Sequence, residues 1–344
     1  MAVGLIASFS HWYWSESMAG DKPDVLLLGH KKPVMVKGLQ DKVNLHYMAD
    51  AKDPEAFLQD VGPKIRAIAI AYTANKLDAA FMSKFPKLEQ ISSFGVGYDH
   101  VDAKHAAERG IIVTNTPDVL NEEVADTTLG LLLNTVREFP QAEQYLREGR
   151  WEKQGHYPLS KATLRDRTVG IVGMGRIGRA IGRRLEAFGV PVVYHSRNPQ
   201  SGVSYKYYPK LIDMARDVDT LIVIVPGGAA TKNLINKEVL EALGPRGILI
   251  NMARGSVVDE PALIEALKNK TIYSAGLDVF LHEPKVPQEL IDMKHIVLFP
   301  HLGSSTEVTR AAMDQLVVDN ILAWVGGKPP LTPVPETPYP PKKP

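Results

Sequence analysis

The sequence predicts an α/β fold in which parallel sheets are covered by helices on both faces. Short apolar, β-branched runs alternate with amphipathic segments of helical length over most of the chain, as in repeated βαβ units. At 344 residues the chain is long enough for two such domains. A glycine motif, Gly173-x-Gly175-x-x-Gly178, lies between an apolar strand and a helix and opens a second series of units in mid-chain.

The first series of strands precedes residue 121, and a long helical stretch ends it. Strands are predicted at 25–28, 65–71, 88–94 and 110–113. The helical stretch covers 121–149, with Asn121 as its candidate N-cap and Gly149 as its stop. In the second series, a buried strand ending at 172 precedes a helix at 179–188. Its later strands are expected at 192–195, 220–225, 247–251, 274–279 and 296–299, before a final helix at 307–325.

Each glycine of the motif meets a different requirement of a dinucleotide site. Gly173 permits a tight turn, Gly175 lets the backbone approach a pyrophosphate, and Gly178 lets the helix pack closely on the strand. The free N–H groups at the start of that helix attract phosphates. A glycine-rich turn without a ligand is the alternative. The strand before the motif and the helix after it favour the dinucleotide.

The element order therefore predicts two Rossmann-like, doubly wound parallel-sheet domains, with the cofactor domain inserted in a discontinuous substrate domain. The substrate domain comprises 18–122 and 306–344, and the dinucleotide-binding domain comprises 123–305. The substrate cleft is expected between them. Residues 1–17 precede the first convincing strand and are predicted to be an extra N-terminal segment or a tag.

Composition excludes several classes of function. Lys plus Arg number 40 and Asp plus Glu 39, so a net charge of +1 indicates neither nucleic acid nor an anionic membrane as a partner. The absence of Cys excludes disulfides and thiolate chemistry, and we expect a cytoplasmic protein with no metal site. No apolar run reaches the roughly 18 residues of a membrane span.

Residues 329–344 contain eight prolines, typical of a polyproline tail, a surface strap or a disordered end.

The loop after the next strand indicates which dinucleotide is bound. An NAD-selective site usually has an Asp or Glu about 20 residues beyond the glycines. This chain has Ser196, Arg197 and Asn198 there instead. The Arg197 guanidinium can pair with a 2′-phosphate, and no carboxylate is present to repel that phosphate. We predict NADPH as the preferred cofactor, with weaker use of NADH. A solvated loop arginine is the alternative.

Polar side chains follow three successive late strands, at strand ends that face the cofactor in a doubly wound sheet. They are Arg254, the acids Asp278 and Glu283, and His301. Arg254 can bind a carboxylate as a two-pronged cation, and His301 can protonate the alkoxide left by hydride addition to a ketone. Glu283 would orient the imidazole, and Asp278 would accept from a nicotinamide carboxamide. Each residue alone also has a structural interpretation, but together they predict a 2-oxo acid reductase.

The first domain contains a candidate anion cradle. Residues 92–99, Ser-Ser-Phe-Gly-Val-Gly-Tyr-Asp, directly follow a predicted strand. Their glycines would let consecutive backbone N–H groups converge on a carboxylate as a nest. An ordinary strand-to-helix turn is the alternative.

The residues singled out above belong to longer segments that follow one another in a fixed order and together identify a family: SFGVGYDHVD, VTNTPDVLNEEVAD, VGIVGMGRIGRAI, INMARGSVVDE, AGLDVFLHEP and PHLGSST. Over about 24–332 the chain resembles the D-isomer-specific 2-hydroxyacid dehydrogenases, most closely the NADPH-dependent glyoxylate/hydroxypyruvate reductases and the hydroxyphenylpyruvate reductase type. The resemblance implies reduction of small 2-oxo acids, such as glyoxylate and hydroxypyruvate, to D-2-hydroxy acids. His301 would be the proton donor, Glu283 its partner and Arg254 the residue that binds the substrate.

The resemblance also implies further contacts and a partner. Val96 and Gly97 would offer backbone N–H groups to the substrate carboxylate. Relatives are usually homodimers joined through the cofactor domains, and the arm at 137–151 matches, with Trp151 reaching towards the partner's cleft. Cofactor contacts are implied for Gly173, Met174, Gly175, Arg176, Ile177, Gly178, Ser196, Arg197, Asn198, Val225, Pro226, Thr231, Met252, Ala253, Arg254, Asp278, His301 and Gly303.

An interpretation from another class remains open beside the reductase. Transcriptional corepressors that resemble this family sense NAD(P) and keep the same fold, so they would bind NADPH with negligible turnover. Formate- and phosphite-oxidising relatives also share the scaffold, and they differ in the residues of the pocket.

Overall fold

The computed structural model describes residues 22–72 and 75–341. In the order of the chain, the first half consists of β1 Asp24–Leu28, α1 Pro33–Leu39, β2 Asn44–Tyr47, α2 Pro54–Val61, β3 Ala67–Ile70, α3 Ala79–Met82, β4 Gln90–Ser93, α4 Ala103–Glu108 and β5 Ile112–Thr114. The extra segment predicted at 1–17 lies outside the described residues. The described strands of this half form one parallel sheet in the order β2-β1-β3-β4-β5, which is a doubly wound order.

Three consecutive helices lead into a second series of strands. The remaining elements are α5 Asn121–Arg137, α6 Phe139–Arg147, α7 Arg150–Gln154, β6 Val169–Val172, α8 Arg176–Ala187, β7 Val192–His195, β8 Lys206–Tyr208, α9 Leu211–Asp217, β9 Thr220–Val223, α10 Lys237–Leu243, β10 Ile248–Asn251, α11 Glu260–Lys268, β11 Ser274–Leu277, α12 Gln288–Asp292, β12 Val297–Leu298 and α13 Glu307–Val325. Within the described residues the second sheet is also parallel, in the order β12-β11-β10-β9-β6-β7-β8. The strand order reverses between β6 and β9, where doubly wound sheets bind dinucleotides.

The predicted α/β architecture with two parallel sheets is therefore confirmed, and its strands are apolar for the expected reason. All residues of β3, β6, β9 and β10 are buried, because helices cover both faces of each sheet. Helix α5 packs on β10, β11 and α8, whereas α13 returns to pack on β3, β4 and α1. The chain thus leaves the first sheet before α5 and comes back to it with α13.

The starts of α5 and α13 are joined by hydrogen bonds. The hydroxyls of Thr306 and Thr309 both donate to the Glu123 carboxylate, at 3.0 Å each. The Thr127 hydroxyl donates to the carbonyl of Gly303 at 3.2 Å. The two chain crossings therefore lie side by side, close to the boundaries predicted at 122/123 and 305/306. The boundaries themselves stay predictions.

The helical stretch predicted at 121–149 is wrong as a single helix. Glu138 and Gly149 adopt left-handed backbone angles, with φ of 56° and 69°, and these residues separate α5, α6 and α7. Asn121 is not the N-cap, because Leu120 occupies that position and the Asn121 amide donates to Asp118 at 3.1 Å. Gly149 does separate α6 from α7, so it ends one helix of the three.

Two edge strands and one helix start also differ from the prediction. Strands β2 and β8 were not predicted, since Asn44–Tyr47 and Lys206–Tyr208 are partly exposed and carry polar residues. Helix α8 begins at Arg176 and not at 179, so Gly178 lies inside its first turn. A Cβ atom on Gly178 would lie 2.1 Å from the Gly173 carbonyl oxygen, and glycine is therefore needed for this close packing.

The proline-rich C-terminal segment is a surface strap, one of the three alternatives. It runs beside β5, where Pro333 bridges Thr114 in antiparallel fashion and the Val334 N–H donates to the Val113 carbonyl at 2.9 Å. Val334 and Thr337 are 1% and 4% exposed, so the strap is packed into the fold. Residues 331–337 form this C-terminal strap.

Candidate active site

Arg254, Glu283 and His301 follow the adjacent strands β10, β11 and β12. Because these strands are parallel, their carboxyl ends lie at one edge of the second sheet. Arg254 comes three residues after β10, Glu283 six after β11 and His301 three after β12. The topology therefore brings the cation, the acid and the imidazole to the same edge.

Glu283 and His301 are in direct contact. His301 Nδ1 lies 2.7 Å from Glu283 Oε2, and the Phe280 N–H donates to Glu283 Oε1 at 3.0 Å. An ionised carboxylate can only accept, so Nδ1 carries the proton in this pair. The Nε2 atom is then left for another partner, and the His301 side chain is 43% exposed.

The pKa of Glu283 is lowered from its ordinary value. Burial acts to raise this pKa, but the hydrogen bond and the charge of His301 outweigh burial, and the Phe280 N–H and the charge of Arg254 act in the same direction. Glu283 is therefore ionised at neutral pH. A carboxylate held in this state accepts the Nδ1 proton of His301 and fixes the orientation of the ring.

Asp278 fixes the backbone around His301. Its carboxylate accepts from the N–H groups of Leu302 at 2.6 Å and Gly303 at 2.9 Å, and its carbonyl accepts from the His301 N–H at 2.9 Å. His301 adopts a left-handed φ of 53°, a conformation that this clamp holds in place. Burial raises the pKa of Asp278. The contact of Asp278 with a nicotinamide stays a prediction. The Asp278 carboxylate has lone pairs beyond the two that accept from Leu302 and Gly303, and these could accept such a contact.

Arg254 joins the second sheet to a loop of the first. Its Nε donates to Asp99 Oδ1 at 3.2 Å, and Nη1 donates to the Ala253 carbonyl at 2.8 Å. A Cβ on Gly97 would lie 2.1 Å from Arg254 Nη2, and one on Gly227 would lie 2.9 Å from Arg254 Cγ. The guanidinium therefore lies against the predicted anion cradle, in space that two glycines leave open.

The predicted cradle has the backbone geometry of an anion site. Gly95 has a φ of 123°, which L side chains rarely adopt. The Gly95 N–H donates to the Thr116 hydroxyl at 2.9 Å, whereas the N–H groups of Val96 and Gly97 donate to no other described residue. Two free N–H groups beside the Arg254 guanidinium form a site that suits a carboxylate.

The glycine turn between β6 and α8 has room for a pyrophosphate. Gly173 has a φ of 106°, and a Cβ there would lie 2.6 Å from the Ile224 carbonyl oxygen, so the tight turn needs glycine. A Cβ on Gly175 would meet nothing within 4 Å, and no side chain caps the start of α8. The space and the uncapped N–H groups fit a phosphate group. Of the neighbours, Met174 is buried and Arg176 pairs with Asp118 at 2.9 Å.

The loop predicted to bind a 2′-phosphate lies beside this turn. The Gly173 N–H donates to the His195 carbonyl at 2.8 Å, which places Ser196 next to the glycine motif. The Ser196 hydroxyl donates to the Asn198 carbonyl at 2.7 Å. Arg197 is exposed and makes no hydrogen bond or ion pair with any described residue. Its guanidinium is therefore available to an anionic ligand.

The remaining residues with predicted cofactor contacts lie around the same edge of the sheet. Val225 packs against Gly173, and the Thr231 hydroxyl donates to the Pro226 carbonyl at 2.6 Å. Met252 and Ala253 follow β10 and are 6% and 3% exposed. A Cβ on Gly303 would lie 3.2 Å from Asp278 and 3.5 Å from Met252. Ile177 is partly buried in the first turn of α8.

Residues that were not predicted as part of the site also lie next to it. Asp99 pairs with Arg254, although its segment was quoted only for its glycines. Arg310 donates to the Ser305 hydroxyl at 2.8 Å, and that hydroxyl donates to the His301 carbonyl at 3.3 Å. The Arg310 guanidinium also lies 5.3 Å from the ring centre of Phe94, just before the cradle. No local signal identifies Arg310, because it lies on an ordinary turn of α13.

Within the described residues, no group of three or more His, Cys, Asp or Glu side chains is arranged to hold a metal ion. In the same part of the chain, no helix combines the length and the apolar character that crossing a membrane requires.

A family model for the D-isomer specific 2-hydroxyacid dehydrogenase, NAD binding domain, matches residues 129–303. Glyoxylate/hydroxypyruvate reductase A of Arabidopsis thaliana is 42% identical over 310 residues, which cover 90% of this chain and 98% of that protein. Hydroxyphenylpyruvate reductase of Plectranthus scutellarioides is 45% identical over 278 residues, which cover 81% of this chain and 88% of that protein.

Solved structures show the same relationship. An NADPH-dependent glyoxylate/hydroxypyruvate reductase of Sinorhizobium meliloti, crystallised with NADP and malonate, is 51% identical. The two structures align with a TM-score of 0.86 over 93% of this chain and 98% of that one. A 2-hydroxyacid dehydrogenase of Ketogulonicigenium vulgare is 41% identical, with a TM-score of 0.84 over 92% of this chain and 99% of that one.

Proposed function

This chain belongs to the D-isomer specific 2-hydroxyacid dehydrogenases, and we propose that it reduces small 2-oxo acids, such as glyoxylate and hydroxypyruvate, to D-2-hydroxy acids with NADPH. The observation that carries the proposal is the 2.7 Å contact between His301 and Glu283, at the sheet edge where Arg254 meets the cradle. The cofactor unit is proposed as 123–305, and the substrate unit as 18–122 with 306–344.

In the proposed mechanism Arg254 and the cradle bind the substrate carboxylate. The guanidinium pairs with one side of the carboxylate, and the free N–H groups of Val96 and Gly97 donate to it as well. Asp99 holds Nε of Arg254, so the remaining N–H groups of the guanidinium have a fixed direction. The ketone is thereby oriented at the edge of the sheet where His301 lies.

His301 is proposed to protonate the ketone oxygen. Its Nδ1 faces Glu283, which leaves Nε2 to donate the proton as the carbonyl becomes an alcohol. Bound NADPH would supply the hydride that adds to the carbonyl carbon. Its pyrophosphate would lie at Gly173–Gly178, and its 2′-phosphate would lie at Ser196, Arg197 and Asn198. The clamp from Asp278 keeps the imidazole in place during the proton transfer.

The proposal is tested by following NADPH oxidation with glyoxylate, hydroxypyruvate, pyruvate and phenylpyruvate. We expect turnover with the small acids, and His301→Ala should lower kcat by roughly 10²- to 10⁴-fold because the general acid is lost. Binding of NADPH, measured by fluorescence titration, should change far less than kcat in this variant. Tight NADPH binding without turnover of any acid would instead favour a nucleotide-sensing binding protein. Full activity of His301→Ala would exclude the imidazole from the mechanism.

The role of Glu283 has a specific signature in the acidic range of the pH profile. The lowered pKa keeps Glu283 anionic down to mildly acidic pH, so its carboxylate still accepts from Nδ1 of His301 there. When the pH falls through this lowered pKa, the charged acceptor is lost, so the wild-type kcat/KM profile should have an acidic limb that belongs to Glu283. Glu283→Gln removes the charge and keeps the size of the side chain, so it should lower kcat/KM and lack this limb. Superimposable wild-type and variant profiles would mean that Glu283 does not act through His301.

Arg197 is proposed to select NADPH over NADH. A charge-assisted hydrogen bond contributes about 1.5–3 kcal/mol, so Arg197→Ala should weaken NADPH binding by roughly 10- to 100-fold. NADH has no 2′-phosphate, so its affinity should change much less. Fluorescence titrations with both dinucleotides measure the difference. Arg216→Ala, which removes an exposed arginine paired with Asp213, is the matched control. Equal losses for NADPH and NADH would show that Arg197 does not recognise the phosphate.

We also propose a homodimer formed through the arm at 137–151. Large apolar side chains of this arm are exposed, with Phe139 at 45%, Leu146 at 53% and Trp151 at 55%. Sedimentation equilibrium should give about twice the chain mass of 37.9 kDa. Leu146→Glu should shift the mass towards the monomer, whereas Phe188→Glu, which places the same charge at an exposed apolar residue elsewhere, should not. A monomeric wild-type protein would refute the proposed homodimer.

The cytoplasmic location expected from the absence of Cys stays a prediction.

A further inference from the structure

The cradle is held by a segment that lies just after β5. The Asn115 side-chain amide donates to the Val96 carbonyl at 2.8 Å. The Thr116 N–H donates to the Gly95 carbonyl at 2.9 Å, and the Thr116 hydroxyl accepts from the Gly95 N–H. Both carbonyls that precede the cradle N–H groups are therefore fixed by Asn115 and Thr116.

These two carbonyls determine the direction of the cradle donors. A peptide group is planar and trans, so its N–H points opposite to its carbonyl. The Gly95 carbonyl shares a peptide plane with the Val96 N–H, and the Val96 carbonyl shares one with the Gly97 N–H. A hydrogen bond to each carbonyl on one side of the loop thus aims the N–H groups to the other side. Asn115 and Thr116 thereby orient the donors that are proposed to bind the substrate.

Asn115 is in turn held by the C-terminal strap. The Thr332 hydroxyl donates to the Asn115 carbonyl at 2.6 Å, and the Asn115 N–H donates to the Thr332 carbonyl at 3.3 Å. The Thr337 hydroxyl accepts from the Val113 N–H at 2.9 Å. The strap therefore binds the backbone on which Asn115 and Thr116 are mounted.

The strap is anchored to α13 by a buried amide. Asn320 is fully buried, and its Oδ1 accepts from the N–H groups of Leu331 at 3.0 Å and Thr332 at 3.1 Å. Its Nδ2 donates to the Thr332 hydroxyl at 2.9 Å. One chain of hydrogen bonds thus runs from Asn320 through Thr332 and Asn115 to the cradle.

The strap reaches the cradle directly at a second point. The Tyr98 hydroxyl, one residue after Gly97, donates to Glu336 Oε2 at 2.9 Å. Burial and the Glu336 carboxylate raise the pKa of Tyr98 to about 12, so the phenol keeps its proton and remains a donor. The cradle is therefore tied to the strap on both sides.

We propose that the C-terminal strap is part of the substrate-binding machinery, with Asn115 and Thr332 as positioning residues that aim the N–H groups of Val96 and Gly97. The inference rests on the proposed function of the cradle as a carboxylate site. Preorganised donors bind an anion without a reorganisation cost, so loosening them weakens binding of the acid more than it slows the chemistry. The dinucleotide site lies on the other sheet and does not depend on the strap.

The test compares Asn115→Ala and Thr332→Val with the wild-type protein. Loss of one such hydrogen bond should raise KM for glyoxylate and the dissociation constant of oxamate, an unreactive 2-oxo acid analogue, by about 5- to 10-fold. We expect kcat to change by less than about 3-fold, and NADPH affinity to be unchanged. Because Thr332 holds the backbone that carries the Asn115 side chain, the effects of the two substitutions should be less than additive in the double variant.

A matched control separates positioning from general loosening. Arg109→Ala removes two hydrogen bonds in the same domain, to the carbonyls of Met82 and Phe85, without touching cradle or strap. It should lower Tm and leave oxamate affinity unchanged. The inference is overturned if Asn115→Ala keeps wild-type oxamate affinity, or if it weakens the binding of oxamate and of NADPH equally.

Binding of oxamate measured by calorimetry needs no turnover. A wild-type protein that binds oxamate without reducing any acid would therefore refute the proposed function alone. Failure of wild-type protein to bind oxamate would overturn the inference.

Discussion

Parallel strands end at the same edge of a sheet, and the chemistry of this protein depends on that constraint. Strands β10, β11 and β12 are neighbours, so the residues that follow them converge although they are far apart in sequence. The convergence alone does not fix an imidazole. Asp278, at the end of β11, binds three consecutive N–H groups of the loop after β12 and so holds His301 within reach of Glu283. The residue at the end of β11 thus fixes the loop that follows β12.

The site is shared by both sheets, and Arg254 joins them. It extends from β10 to Asp99 and lies against Gly97, both of which belong to the loop after β4. The ion pair is partly exposed, so its contribution to stability is small, but it sets where the guanidinium points. Gly97 and Gly227 leave the space that the arginine occupies, since a Cβ on either would overlap it. Glycine at these two residues therefore permits the two halves of the site to meet.

Most features that depend on local sequence or on the order of the strands were predicted, whereas features that depend on particular distant contacts were not. The buried strands and the glycine turn follow from β-branched runs and from the steric needs of Gly173 and Gly178. The placement of Arg254 and His301 at one edge of the sheet was predicted because the strands that precede them are parallel. In contrast, the break at Glu138 was missed, although Pro140 in the first turn of α6 is a local signal for it, and the edge strands were missed because they lack an apolar pattern. The strap was one of three alternatives, because prolines fix the backbone but do not reveal what it packs against.

Two carboxylates approach His301, and their environments assign them different tasks. Asp278 is 1% exposed, and burial raises its pKa although two N–H groups bind it. Glu283 is also partly buried, yet the hydrogen bond and charge of His301 outweigh burial and lower its pKa. The opposite pKa shifts show that the two carboxylates have different surroundings. Asp278 touches the loop backbone and Glu283 touches the imidazole ring, so of these two acids Glu283 is the one that accepts the Nδ1 proton, and Nε2 is left for the proposed proton transfer.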